Sequence, residues 1–367
     1  MDKIYWIGAR ESDVTDEEFI TGSITRYGNN EDNNISFCQN GFTYSYDTFL
    51  AQTLHNILLT NPDALFLFAN EAFAYKFGEK VFVKSICTNK LSIIESLNDK
   101  IFFRQFINKD VDVPPSIILN MYKDINYDFI KSIFSEEYDC FVLQTTNSAG
   151  GKGSLLLHNS SENQNLSKLA YPILVTPFIQ NSIPINTHIA VSKNEIRVFP
   201  PSIQLIGNTL NYFGADFIKY QTLNKYMKDR LISQCYKLAK KIQTLGALGV
   251  FGVDILLSEE ELYFIECNFR YQGSTFVLNQ GLTENGFPSI HKIRYKCFYD
   301  TIHDIPDDIY NLQINYSSFR RTTANKRIKL PQPFAIKKDG NDISSSLRNG
   351  YIHYELFNAS IFDYFEK

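Results

Sequence analysis

The sequence predicts an α/β protein made of two or three packed units, and three observations carry that expectation. The chain has 367 residues and is 44% hydrophobic, too long for one core of ordinary size. Strand-like apolar runs alternate with helix-like stretches, the order that gives a mostly parallel sheet in the first unit. Further on, two apolar strands are joined by the short acidic turn Ser258-Glu259-Glu260-Glu261, which reads as an antiparallel hairpin.

The first unit, residues 1–88, opens with a strand at Ile4–Gly8. A helix follows over Thr48–Leu59, where Phe49, Leu50, Leu54, Ile57 and Leu58 fall near helical spacing. A buried strand over Ala64–Phe68 completes it. A second unit runs from 89 to 290. Leu91–Asn108 reads as one helix, stopped by Val113-Pro114-Pro115. A helix at Tyr127–Phe134 and a strand at Cys140–Gln144 come next. A glycine-containing loop, Asn147–Ser154, leads into a strand ending at Leu157, and Pro172–Ile179 is a further apolar strand. Strands at Ile185–Val191 and Glu195–Phe199 precede an amphipathic helix over about Lys225–Leu245. Its apolar face holds Leu231, Cys235, Leu238, Ala239 and Ile242, and Gly246 ends it. Val250–Leu257 and Leu262–Cys267 form the hairpin. Residues 291–367 are α/β-like and carry no clear pattern.

A formal net charge of -4 with 21% charged residues gives no global field for gripping nucleic acid or an anionic membrane. No run approaches the roughly 20 apolar residues of a spanning helix. The segment from Met1 to Trp6 lacks the pattern of a signal peptide, so a cytoplasmic location is expected. The six cysteines (Cys38, Cys87, Cys140, Cys235, Cys267 and Cys297) form no Cys-x-x-Cys pair and read as free thiols in a reducing compartment.

The hairpin carries the chemistry. Residues two apart on a strand share a face, so Glu266 and Asn268 point one way, and a turn near residue 260 brings Asp254 opposite them. Two carboxylates and an amide oxygen then converge. That is hard-oxygen coordination, suited to magnesium held jointly with phosphate oxygens, with manganese able to substitute. Arg270 lies two residues further on, where a guanidinium fork can clamp a phosphoryl or carboxylate oxygen. Acidic residues at strand ends are usually solvated. Glu266, however, lies inside the apolar run Leu-Tyr-Phe-Ile-Glu-Cys-Asn-Phe, where an unpaired charge is expensive.

This segment resembles the ATP-grasp superfamily of carboxylate–amine ligases, in which an acidic residue on one strand is followed by Glu-x-Asn-x-Arg on the next. The resemblance extends over roughly residues 90–280. It implies an ATP-grasp fold with an N-terminal α/β domain before it and a mobile lid at about 113–178. It assigns Asp254, Glu266 and Asn268 to the metal and Arg270 to the transferred phosphoryl group. Lys100 resembles the first nucleotide-contacting lysine, the alternative being a solvated helix lysine. The loop holding Gly150, Gly151, Lys152 and Gly153 resembles the glycine loop that closes over the triphosphate, with Lys152 adding a charge. Gln144 stands where relatives commonly carry a lysine; it can donate a hydrogen bond but no charge. Thr176 and Phe178 lie in the stretch that resembles the adenine-reading linker.

The activity implied is ATP- and magnesium-dependent activation of a carboxylate as an acyl phosphate, followed by capture by an amine. An amino acid or short peptide is the substrate most in keeping with the family. Two alternatives stay open, a small-molecule kinase of the same superfamily and a non-catalytic nucleotide-binding module. The complete Asp-Glu-Asn-Arg set argues against the latter. The basic residues of the tail (Arg320, Arg321, Lys326, Arg327, Lys329, Lys337 and Lys338) read as a solvated face, or else as a site for an acidic substrate or carrier. The oligomeric state stays open.

Overall fold

The computed structural model describes residues 3–10, 13–14, 17–27, 33–37, 45–121, 126–135, 137–148, 151, 153–208, 210–258, 260–299, 301–322, 336–338, 351–358 and 360–362. Three sheets organise them.

The first is small and parallel, in the order Ile35–Ser36, Gly22–Tyr27, Ile4–Arg10, Leu65–Phe68. The helix Tyr46–Thr60 packs on it through Phe49, Leu50, Leu54 and Ile57, and the Ser45 hydroxyl caps it by accepting from the Thr48 amide.

The stretch expected as one helix from Leu91 to Asn108 is two, Leu91–Asn98 and Lys100–Ile107. Asp99 between them is extended, at φ -79° and ψ 115°, and its carboxylate accepts from the Phe102 amide. A short acidic side chain that competes with the helix for backbone N–H groups is better placed as a cap than in a helix interior. Lys100 therefore begins a helix instead of sitting within one. Its own amide is free to donate to the Thr146 carbonyl at 3.2 Å.

A second, antiparallel sheet runs Ile117–Leu119, Ile173–Pro177, Phe141–Thr145, Ser154–Leu157. Phe141, Leu143, Leu157, Ile173 and Val175 form its core with Ile130 of the helix Tyr127–Ile133.

The third sheet is antiparallel throughout and has nine strands. Its order is Leu262–Asn268, Gly249–Leu257, Ile183–Val191, Ser202–Ile206, Tyr212–Asp216, Tyr316–Thr322, Tyr351–Phe357, Ile336–Lys338, with Ile196–Val198 also paired to Ile183–Val191. Alternation sorts its two faces. Odd-numbered residues such as Ile185, Ile189, Phe251, Val253 and Ile255 pack with the helices Lys100–Ile107 and Lys225–Gln243. On the even face, Ala190 and Val250 pack against the helices Thr275–Glu284 and Ile290–Tyr299. Further along that same face the residues turn polar, and there the site is built. The strands after residue 312, which the sequence left without a pattern, continue this sheet. Lys326, Arg327 and Lys329 lie outside the described residues. No helix among the described residues is long and apolar enough to cross a membrane. The five described cysteines are free; Cys38 lies outside the described residues.

Candidate active site

The hairpin register puts Asp254 directly opposite Glu266, and Gly252 opposite Asn268. On the other side of Gly249–Leu257, Asp254 faces Asn186 and Gly252 faces His188. Two cross-strand rows result, Glu266–Asp254–Asn186 and Asn268–Gly252–His188, both on the even face.

Amide groups hold Asp254. Its Oδ1 accepts from Asn186 Nδ2 at 2.6 Å and from Gln204 Nε2 at 3.1 Å, and its Oδ2 accepts from Asn268 Nδ2 at 3.0 Å. Asn268 also donates to Glu266 Oε1 at 3.3 Å, so one amide bridges the two carboxylates. Its own oxygen accepts from an Arg270 terminal nitrogen at 2.6 Å. Asn186 is fixed in turn by Gln272 Nε2 at 2.7 Å and by the Ser274 hydroxyl at 2.8 Å, both donating to its Oδ1. Gly252 makes room for this arrangement, because a Cβ there would lie 1.9 Å from Gln272 Nε2.

The two carboxylates titrate differently. Burial first, then the neighbouring Glu266 charge, pushes Asp254 up to about 7. Burial works in the same direction on Glu266, but Lys100, the hydrogen bond with Asp254 and Arg270 together hold it below its ordinary value. Lys100 Nζ lies 3.0 Å from Glu266 Oε2 and donates to the Ser148 carbonyl at 2.8 Å. The lysine is buried, so the solvated alternative is set aside. It ties the metal-type carboxylate to the loop that follows Phe141–Thr145.

Divalent-cation chemistry fits this donor set. Two converging carboxylates, one of them raised by burial and then by the charge of the other, favour a cation between them. No cluster of three or more His, Cys, Asp or Glu side chains suited to a metal occurs among the described residues. The two carboxylates are the hard-oxygen donors magnesium uses when phosphate oxygens complete its shell. Asn268 turns its nitrogen to both of them and its oxygen to Arg270, so it joins them as an oxygen ligand only when its amide is flipped.

The remaining expected residues line one cleft of about 1610 Å³ with this cluster: Gln144, Gly151, Gly153, Thr176 and Phe178. Gln144 donates from Nε2 to Ser154 Oγ at 3.4 Å and accepts on Oε1 from Arg104 at 3.3 Å. Thr176 is buried and pairs with Val142, while Phe178 is exposed at the cleft wall, its amide donating to the Cys140 carbonyl. Gly151 and Gly153 take left-handed φ values of 80° and 75°. A Cβ on Gly151 would fall 2.3 Å from the Leu210 carbonyl oxygen, so the loop meets the 207–211 turn at a point only glycine allows. Gly150 and Lys152 lie outside the described residues.

His188 is fully buried, bonded to the Thr275 hydroxyl at 2.8 Å, and burial pulls it down to about 3. It is a structural histidine. Arg197 pairs with Glu195 and Asp307.

Asn186, Gln204 and Arg104 did not stand out in the sequence. Asn186 and His188 flank Thr187 inside the apolar strand Ile183–Val191, and three polar residues in such a run were the available signal. Arg104 lies one helical turn after Lys100, on the same face. Its Nε donates to the Ile265 carbonyl at 3.0 Å. Ile265 is the extra residue at the hairpin's bulge, where Asp254 pairs with Glu266 but Ile255 with Phe264. Burial pulls Arg104 down to about 10.

Residues 97–274 match the model of the ATP-grasp domain family. No curated protein sequence matches the chain. Among solved structures, a biotin carboxylase from Campylobacter jejuni superposes with a TM-score of 0.70 at 15% identity, over 97% of this chain and 87% of that one. N5-carboxyaminoimidazole synthetase from Staphylococcus aureus in complex with ADP gives 0.63 at 14% identity, over 100% and 95%. The L-amino acid ligase of Bacillus licheniformis gives 0.62 at 10%, over 97% and 93%. At these identities the likeness is one of fold.

Proposed function

The chain carries an ATP-grasp domain over residues 97–274, and on that premise we propose that it is an ATP- and magnesium-dependent ligase joining a carboxylate to an amine. The observation that carries this reading is the convergence of Asp254, Glu266, Asn268, Arg270 and Lys100 on one cleft. ADP-forming ligation is the reading they support best. The acid's carboxylate oxygen attacks the γ-phosphorus, ADP leaves, and an amine then displaces phosphate from the acyl phosphate. An amino acid or short peptide is the proposed substrate class.

Asp254, Glu266 and Asn268 would hold magnesium; when bound, the ion would supply charge neutralisation across the phosphates. Asn186 and Gln204 keep Asp254 aimed into the cleft. Arg270 offers a fork for the transferred phosphoryl group and the acyl oxygen, and Asn268 orients it. Lys100, positioned between Glu266 and the Ser148 carbonyl, brings positive charge to the triphosphate. The second sheet, with Gly151 and Gly153 in the loop between two of its strands, would act as the lid that keeps water from the acyl phosphate. Backbone groups of the 176–178 stretch and the Phe178 ring would meet the adenine.

ADP release, screened against pools of amino acids and short peptides with product masses read out, tests the reading. The expected result is ADP formation that depends on both an acid and an amine, with a condensed product one water lighter than their sum. ADP release that needs no acid, with no condensed product in any pool, would overturn it.

A further inference from the structure

Four Lys and Arg side chains are buried among the described residues: Lys100, Arg104, Arg197 and Arg294. Three of them face carboxylates. Lys100 meets Glu266 at 3.0 Å, Arg197 meets Asp307 at 3.0 Å, and Arg294 meets Glu71 at 3.2 Å. Arg104 differs, since no described carboxylate comes within 4.0 Å of it. Its Nε is spent on the Ile265 carbonyl and one terminal nitrogen on Gln144 Oε1. The other terminal nitrogen is buried without a partner.

A guanidinium keeps its charge under all ordinary conditions, so taking it out of water without a counter-charge is expensive. Such a group is tolerated where something else supplies the anion. Arg104 lines the cleft beside Lys100, Gln144, Ser148, Gly153 and Ser154, so the anion can come from there. The helix sets its aim: Arg104 follows Lys100 by four residues and therefore stands on the same face, turned toward the same ligand. Arginine also suits phosphate better than lysine does, because its planar fork can engage two oxygens at once.

We propose that Arg104 binds a phosphate of the nucleotide and that Gln144 is its positioning residue, an assignment that rests on the cleft being the nucleotide site. The charge missing from the end of the strand Phe141–Thr145 is then supplied from the neighbouring helix. Gln144 holds the guanidinium through its amide oxygen, while its amide nitrogen is turned to Ser154. A lysine at 144 would place a second cation against Arg104, so the two positions are complementary: one carries the charge and the other must be neutral.

The test is equilibrium binding of ATP, ADP and adenosine, with magnesium, to the full chain. In Arg104→Met, ATP and ADP should weaken at least tenfold while adenosine binds as in the wild type. The double variant Arg104→Met, Gln144→Lys should recover most of the lost ATP affinity, whereas Gln144→Lys alone should not improve on the wild type. Unchanged ATP affinity in Arg104→Met overturns the assignment and leaves the nucleotide site standing. Failure of the wild type to bind ATP at all removes the site and the assignment with it. If Arg104→Met loses adenosine as well, Arg104→Lys decides. Adenosine binding retained there, with ATP weakened less than in the methionine variant, supports the phosphate role. Loss of adenosine there too makes Arg104 a fold-holding residue and overturns it.

Discussion

Two groups of buried and half-buried charge meet near Tyr271, which lies under Arg294 and directly follows Arg270 in the chain, and their balance differs. At the junction of the first sheet with the helix Ile290–Tyr299, Glu71 and Arg294 are one anion and one cation at 3.2 Å. Asn89 donates twice to Glu71, and Arg294 donates to the carbonyls of Phe68 and Cys87. The pair neutralises itself and ties three segments together. At the candidate active site three cations, Lys100, Arg104 and Arg270, share the cleft with Glu266 and with Asp254, whose carboxyl is pushed up to about 7. There the charges are held by amides and carbonyls and only partly by each other. Buried charge that closes on itself organises a fold; buried charge left open toward a cleft is set for a charged ligand.

Breaking the closed pair should have the largest effect, and on stability alone. Arg294→Met leaves the Glu71 carboxylate buried with only Asn89, at a cost of ~3–5 kcal/mol. Burial already raises the Glu71 carboxyl despite Arg294, and removing the arginine raises it further. A carboxyl raised in the folded state contributes stability at low pH that is lost as pH rises through its folded value. The penalty in Arg294→Met should therefore be smaller near pH 5 than near pH 8. Urea unfolding at both pH values checks this, and an equal penalty would mean that Glu71 is not the buried anion responsible.

The open cluster should respond in the opposite way. Glu266→Gln should lower ADP-forming turnover about a hundredfold or more, since several kcal/mol of charge stabilisation is lost. Stability should fall less than in Arg294→Met, because the loss of the carboxylate facing Lys100 is offset by relief of the repulsion on Asp254. Turnover like that of the wild type would sink the assignment of Glu266. A smaller effect is expected from Gly151→Ala, which forces a side chain into a left-handed φ costing ~1–2 kcal/mol and against the Leu210 carbonyl. The empty loop can shed this strain by leaving the contact, so melting should stay unchanged while apparent ATP affinity falls roughly five- to thirtyfold. No loss would show that the contact with the 207–211 turn plays no part in binding.

The hairpin was readable because its chemistry is local. Asp254, Glu266, Asn268 and Arg270 sit on two consecutive strands, and period-two alternation places them. Lys100 was identifiable, but its partner Glu266 lies 166 positions further along the chain, and no spacing rule reaches so far. Nothing in the sequence singles out Arg104, because burial of that face between the second sheet and the hairpin is a tertiary fact. Asn186 and Gln204 come from strands brought beside Asp254 only by the register of the nine-stranded sheet. The break at Asp99 was within reach, since an Asp before a helical run is a capping signal. The last strands join a sheet begun more than a hundred residues earlier, and their composition does not announce a partner.

The most direct test of ligase chemistry is to supply hydroxylamine in place of the amine. With the wild-type protein, ATP, magnesium and a panel of amino acids and short peptides, hydroxylamine should intercept an acyl phosphate and give a hydroxamate in step with ADP. A stable phosphorylated product with no hydroxamate across the panel would contradict carboxylate activation and make the kinase chemistry the correct account.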